Sequence, residues 1–321
     1  MKAVILGKGL MLANIILGVY DAGADIVGVL RYEKTSCNPL SLFIKDAFNQ
    51  EYDLTLIKEL GIKQLNFKSA NSKAFRDFLI KQNVDLLIIG TWKEKIKKEI
   101  FDVPSVCTVN LHPSLLPKYR GPNPYIQTIL HGEKYSGITL HLVDKNYDTG
   151  AILAQEKIKI EMTDTAKELR EKTVMQAREL IYNFIKDLDS TIVAPVTQVE
   201  SNSSYYPNIS GDEKMLDFSS QTSVEISRTI RALHPFLPSY ITYKNKFFIV
   251  NPYKFKILNI DCCGYEAGDI IAKNSQDKSL TIVCKDKTAI EFEDLKLYKA
   301  KIFTSFYIKH FIFLQQFYDQ A

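Results

Sequence analysis

The feature that most restricts the fold is a set of short apolar runs, unbroken rather than alternating, in the first third of the chain. Ala3–Leu6, Ile26–Leu30, Asp85–Ile89 and Val106–Asn110 are strand-like, while Met11–Tyr20 and Lys73–Gln82 carry helical spacing. A sheet with one wet face alternates apolar and polar residues, whereas unbroken apolar strands need cover on both faces. Helices between the strands supply that cover, so the pattern predicts an α/β fold on a mostly parallel sheet. Ligands of such sheets bind beyond the carboxyl ends of the strands.

Gly7-Lys8-Gly9 follows the first strand and invites a dinucleotide reading, but Leu12 stands where a third glycine belongs and Arg31 where an acidic residue would close the second strand. A structural turn without NAD binding is the expectation. At 321 residues the chain is long for a single core, since one core rarely serves more than about 250–300 residues. Thr163–Leu188 predicts a long amphipathic helix capped by Thr163 or Asp164, with Leu169, Val174, Ala177, Leu180, Ile181 and Phe184 on one face. The polar, turn-rich stretch Ser201–Asn208 is the best boundary candidate, giving domains over 1–200 and 205–321. Beyond it lies a helical stretch, Ser223–Leu233. It is followed by closely spaced strand signals at Ser239–Tyr243, Lys246–Val250, Ile257–Ile260, Gly268–Ile271, Leu280–Cys284 and Ala289–Phe292. These predict a small barrel or sandwich. Tyr307–Tyr318 reads as a packed terminal helix.

A net charge of +4 tolerates a polyanionic partner without demanding one. The five cysteines, at 37, 107, 262, 263 and 284, lack CxxC spacing, which argues against a disulfide framework or a zinc site. The apolar start lacks a cleavage signal, and no run is long enough to span a membrane, so a cytoplasmic protein is expected.

The chemistry concentrates in Val109–Gly150. One strand delivers Asn110 and His112 to its carboxyl end. Pro113, Pro117, Pro122 and Pro124 forbid regular structure in the loop beyond and stiffen it. Asp148-Thr149-Gly150 closes a second loop after the strand Gly137–Val143. An amide, an imidazole and a carboxylate on two facing loops suit acid–base chemistry with oxyanion support. An Asp-Thr-Gly also marks aspartic proteases, but no second copy is present. His141 alternates with Leu140 and Leu142 on a strand and reads as structural, and His131 sits at a helix end where it complements the dipole. No metal-ligand cluster stands out, and no metal is required.

Asn110-Leu111-His112-Pro113-Ser114-Leu115-Leu116-Pro117, Arg120-Gly121-Pro122-Asn123-Pro124 and Asp148-Thr149-Gly150 together resemble the signature of the folate-dependent formyltransferases, and the resemblance spans roughly residues 1–300. It implies a Rossmann-like catalytic domain followed by a small OB-like β-barrel, with 10-formyltetrahydrofolate as cosubstrate. It further implies that Asn110 supports the oxyanion, that His112 stabilises it or shuttles the proton, and that Asp148 accepts from His112 or a water. The implied pteridine cleft is lined by Leu87, Gly90, Trp92, Ser114, Leu115, Leu116, Pro117, Val143 and Asp144.

The acceptor implied by the C-terminal region, Met215–Phe236 and beyond, is the amino group of initiator methionyl-tRNA. The lysines at 244, 246, 254, 256, 285, 287, 296, 299 and 301 would follow the tRNA phosphates, diluted by Asp286, Glu291, Glu293 and Asp294. Three departures favour an alternative acceptor, a nucleotide-linked amino sugar. They are Pro122-Asn123 within the second motif, Gly90-Thr91-Trp92, and the composition of Arg31–Pro39. A catalytically silent RNA-binding relative is disfavoured by the intact Asn110, His112 and Asp148. Neither a membrane nor an obligate protein partner is implied.

Overall fold

The computed structural model describes residues 1–31, 52–188, 194–209, 215–243, 246–274, 276 and 278–297. The predicted readings at Tyr32–Pro39, Cys37, Lys244, Lys299, Lys301 and Tyr307–Tyr318 lie outside these residues. The chain divides into two compact units. The first comprises Met1–Pro124, Tyr135–Lys159 and Arg170–Tyr206. The second comprises Tyr125–Lys134, Ile160–Leu169 and the chain from Pro207 onward.

The first unit is built on a seven-stranded sheet. In chain order its elements are β1 (Lys2–Gly7), α1 (Gly9–Asp21), β2 (Asp25–Arg31), α2 (Tyr52–Glu59), β3 (Gln64–Leu65), α3 (Lys73–Gln82), β4 (Leu86–Gly90), α4 (Lys98–Phe101) and β5 (Cys107–His112). After α5 (Pro124–Leu130) come β6 (Tyr135–Leu142), β7 (Ile152–Lys159) and α6 (Ala166–Asp187). The strand order is β3-β2-β1-β4-β5-β6-β7. The first five pair in parallel, β6 adds antiparallel to β5, and β7 adds antiparallel to β6. The expected mostly parallel α/β sheet is therefore present.

The unbroken apolar strands are explained by two cores, one on each face. Val4, Leu6, Leu30, Leu87 and Ile89 join Phe75 and Leu79 of α3 on one side. Ala3, Ile5, Val29, Leu86, Ile88 and Val109 join α1 and α6 on the other. Each fully buried Leu, Ile or Phe contributes roughly 1.5–3 kcal/mol. Glycines at the ends of β1 and β4 serve this packing. A Cβ on Gly7 would lie 2.3 Å from the Gly90 carbonyl, and one on Gly90 would lie 2.4 Å from Ile15 Cδ1. Helix α6 starts later than its pattern predicts. Its first turn is tied by Thr165, whose N donates to Glu168 Oε2 at 3.0 Å and whose Oγ1 accepts from Lys167 N at 3.2 Å.

The second unit carries α7 (Ser223–Leu233), held by a Thr222–Glu225 capping box. It also carries β8 (Tyr240–Tyr243), β9 (Lys246–Ile249), β10 (Phe255–Leu258), β11 (Ile270–Asn274), β12 (Ser279–Val283), β13 (Ala289–Phe292) and β14 (Lys296–Leu297). These strands form two antiparallel sheets, β10-β13-β12-β11 and β14-β9-β8. Both contribute to one core with α7, through Ile241, Val250, Leu280, Ile282, Ile290 and Phe292 against Ile226 and Ile230. Among the described residues no helix is long and apolar enough to cross a membrane.

Candidate active site

Strand β5 runs two residues further than its apolar pattern, so Asn110 and His112 stand on the strand itself, facing His141 and Thr139 of β6 across the antiparallel pair. This register builds the site. Asn110 Nδ2 donates to His141 Nε2 at 3.0 Å, while His141 Nδ1 donates to the Leu142 carbonyl at 2.8 Å. A carbonyl only accepts, so the proton of His141 sits on Nδ1 and Nε2 is left as an acceptor. Burial is the main reason that the His141 pKa falls to about 4, against the opposing pull of the Asp148 carboxylate. A neutral His141 thus fixes which end of the Asn110 amide carries its hydrogens toward the ring, leaving the second N–H of that amide for another acceptor.

His112 is buried. Its Nε2 donates to the Tyr119 carbonyl at 2.8 Å, and its Nδ1 faces Asp148 Oδ1 at 3.5 Å. The same carboxylate oxygen lies 3.8 Å from His141 Nε2, and Asp148 Oδ2 accepts from Gly121 N at 3.1 Å. Asp148 adopts a left-handed conformation, φ 56°, which Asp tolerates better than bulky residues do. Gly150 follows it because a Cβ there would fall 1.7 Å from the Leu142 carbonyl oxygen. The three residues singled out from sequence are thus brought together, with His141 as a fourth member that the alternation of β6 presented as structural. Only the cross-strand register reveals it.

The loop after His112 is shaped from beneath. Thr139 Oγ1 donates to the Ser114 carbonyl at 2.6 Å and accepts from Leu116 N at 3.2 Å. Gln155 Nε2 donates to the Leu116 carbonyl and to Thr139 Oγ1, both at 2.8 Å. The Leu116–Pro117 peptide is cis. Ser114, fully buried, donates to the Lys118 carbonyl at 2.8 Å.

The predicted cleft residues divide. Leu115 and Pro117 keep part of their surface open, as do Asn110 and Asp148. Trp92 and Val143, also half-open, pack against the core cluster that contains Leu87. Leu87 itself has no exposed surface, and Leu116 has almost none. These two are core residues and offer almost no surface to a ligand. Gly90 ends β4, where its missing side chain admits α1. Asp144 accepts from Asn146 N at 2.9 Å and from Thr149 Oγ1 at 2.7 Å, closing the loop that carries Asp148. Among the described residues no group of three His, Cys, Asp or Glu is placed to hold a metal ion.

A hydrogen-bonding amide, an imidazole and a carboxylate meet at the carboxyl end of the central strands. That arrangement can stabilise an oxyanion and move a proton beside it. Comparison with known proteins agrees. The family model described as "Formyl transferase" matches residues 1–185, and the one described as "Formyl transferase, C-terminal domain" matches residues 208–307. The chain is 29% identical over 250 residues to a methionyl-tRNA formyltransferase of Halothermothrix orenii, covering 77% of this chain and 78% of that one. It is 32% identical over 200 residues to the Clostridium novyi enzyme of the same name, covering 62% of this chain and 63% of that one. Its fold resembles an N-formyltransferase from Helicobacter canadensis solved with folinic acid and dTDP-3-aminofucose. The TM-score is 0.66 and the identity 20%, and the match covers 93% of this chain and 100% of that one.

Proposed function

The chain belongs to the formyl transferase family, and from that premise we propose that it moves a formyl group from 10-formyltetrahydrofolate to the amino group of methionyl-tRNA. The observation that carries the chemistry is the meeting of Asn110, His112 and Asp148 at one strand end, with the Asn110 amide oriented by His141. The acceptor nitrogen attacks the formyl carbon, and the carbonyl becomes a tetrahedral oxyanion. Asn110 donates to that oxygen, and loss of one such donor costs about 3–4 kcal/mol in the barrier. Collapse breaks the bond from the formyl carbon to the folate nitrogen. His112, backed by Asp148, carries the proton from the attacking amine to that leaving nitrogen. One C–N bond forms, one breaks, and one proton moves. The folate ring is assigned to the partly open surface of Trp92, Leu115, Pro117 and Val143.

The tRNA acceptor is supported by the names of the relatives and by the basic residues of the second unit. Not all of those residues are free for phosphate. Lys256 Nζ lies 2.7 Å from Glu291 and Lys254 Nζ lies 3.8 Å from Asp294. Tyr243, Phe248, Lys273, Lys278 and Lys296 line a cavity of about 450 Å³ instead, and an aromatic floor with ammonium groups suits single-stranded nucleic acid. Pro122-Asn123 supports the second reading, a nucleotide-linked amino sugar. The deciding experiment offers purified protein 10-formyltetrahydrofolate with either methionyl-tRNA or a panel of nucleotide amino sugars. Transfer to tRNA alone is the expected result, and transfer to a sugar alone would replace this reading with the second.

A further inference from the structure

The segment 196–206 overlaps the turn-rich boundary that the sequence places at Ser201–Asn208, yet it runs past both loops of the site and bonds to each. Val196 and Ile152 exchange backbone bonds of 2.8 Å just beyond Gly150. At the other end, Arg120 N donates to the Ser204 carbonyl at 2.9 Å and Tyr206 N to the Arg120 carbonyl at 3.0 Å. Tyr119 N donates to Ser204 Oγ at 2.9 Å, and the rings of Tyr119 and Tyr206 stack at 5.2 Å. Between these anchor points stands Gln198. Its Nε2 donates to the Asp148 carbonyl at 2.9 Å and to the Gly150 carbonyl at 2.7 Å. Its Oε1 accepts from Arg120, from Nη2 at 2.8 Å and Nε at 3.3 Å. Arg120 is almost fully buried and is further held by Glu200 at 2.9–3.0 Å.

The side-chain amide has two N–H donors and two lone pairs on oxygen, and all four are used. Its orientation is therefore unambiguous. Carbonyls take one end, and the guanidinium of the Arg-Gly turn takes the other. Asp148 needs such an anchor, because its backbone is left-handed and, among the described residues, its carboxylate accepts a short hydrogen bond from Gly121 N at 3.1 Å, with His112 and His141 more distant at 3.5 and 3.8 Å.

We propose that Gln198 is a positioning residue for the transfer reaction, with 196–206 acting as a strap that keeps the Asp148 loop in register with the His112–Gly121 loop. The proposal rests on the formyl-transfer reading for its effect on rate, but not for its effect on loop order. Misplacing a reacting group by about 1 Å costs on the order of 100-fold. Gln198→Leu removes all four bonds from a half-exposed position. Gln198→Glu keeps the acceptor for Arg120 but turns a carboxylate toward two carbonyls.

The test uses the full chain and three measurements on wild type and both variants: hydrogen exchange of peptides covering 118–123 and 144–151, thermal melting, and steady-state formyl transfer. Both variants should melt within a few degrees of wild type and exchange faster in those peptides. They should lose roughly 10- to 100-fold in kcat with KM for the folate little changed. Gln198→Glu should regain activity relative to wild type as pH falls, because the protonated acid offers an O–H donor again. A side chain with a merely structural role would not produce that pH response. Unchanged exchange in both peptides would overturn the proposal whatever the activity. Faster exchange with wild-type kcat would overturn the positioning role. A wild type that transfers formyl to no amine would instead defeat the functional reading, while the exchange data would still judge the strap.

Discussion

At the scale of single residues, the site depends on two histidines in opposite situations. His112 faces oxygen acceptors with both ring nitrogens, whereas His141 faces one acceptor and one donor. Replacing His112 or Asp148 by Ala should therefore lower kcat by about 10²–10⁴-fold, the usual worth of a proton-transfer group, while melting temperatures stay near wild type. Near wild-type turnover in either variant would remove that residue from the mechanism. His141→Leu makes a separate prediction, about stability against pH. With a folded pKa of about 4 and an unfolded value near 6.5, the native state binds fewer protons than the unfolded chain between those limits. Stability from this residue is thus fully present above pH 6.5 and falls as pH drops toward 4, by at most about 3 kcal/mol. Urea denaturation at pH 7 and pH 5 should show a smaller acid loss in His141→Leu than in wild type. The variant should also lose turnover by roughly tenfold, because the Asn110 amide no longer has its anchor.

At the scale of elements, helix–strand contacts fix where the strand ends lie. Gly90→Ala would push a methyl to 2.4 Å from Ile15 Cδ1 and 2.9 Å from Met11 Cγ, lifting α1 away from the end of β4. The expected cost is about 1–3 kcal/mol in chemical denaturation. Ile15→Val, which deletes the clashing carbon, should return part of it in the double variant, and a purely additive pair would argue against this packing account. This is also the scale at which the sequence was most readable. Unbroken apolar runs identified four of the five parallel strands but not the two-residue β3, Lys73–Gln82 and Ser223–Leu233 match α3 and α7 residue for residue, and the motif residues Asn110, His112 and Asp148 do meet. The two missed residues share one physical cause: they depend on partners remote in sequence. His141 is 31 residues from Asn110, and Gln198 is 50 from Asp148. A period of two along β6 reports which face His141 occupies but not which side chain stands opposite. Turn-rich composition at 201–208 reports a break in regular structure but not that the break carries hydrogen bonds. The later start of α6 is by contrast a local matter, decided by which of three neighbouring polar residues ties the first turn.

At the scale of the whole molecule, acceptor binding should show the signature of phosphate neutralisation. Affinity for methionyl-tRNA is expected to fall with salt at a slope of about −0.7 to −0.9 per neutralised phosphate. Lys273→Glu with Lys278→Glu should weaken it and flatten that slope without altering folate affinity. Lys254→Gln with Lys256→Gln should change little, because both lysines already face carboxylates. A salt-independent affinity would point to the sugar reading. The order of the chain and the order of the compact units do not coincide, since Tyr125–Lys134 and Ile160–Leu169 belong with the C-terminal unit although they interrupt the N-terminal one. A recombination event at the apparent linker would give a descendant one parent's C-terminal strands and the other parent's two embedded segments. Exchange of whole units between relatives would need five coordinated crossovers, one at each end of both embedded segments and one before Pro207, so a single crossover cannot separate the catalytic sheet from the C-terminal unit cleanly.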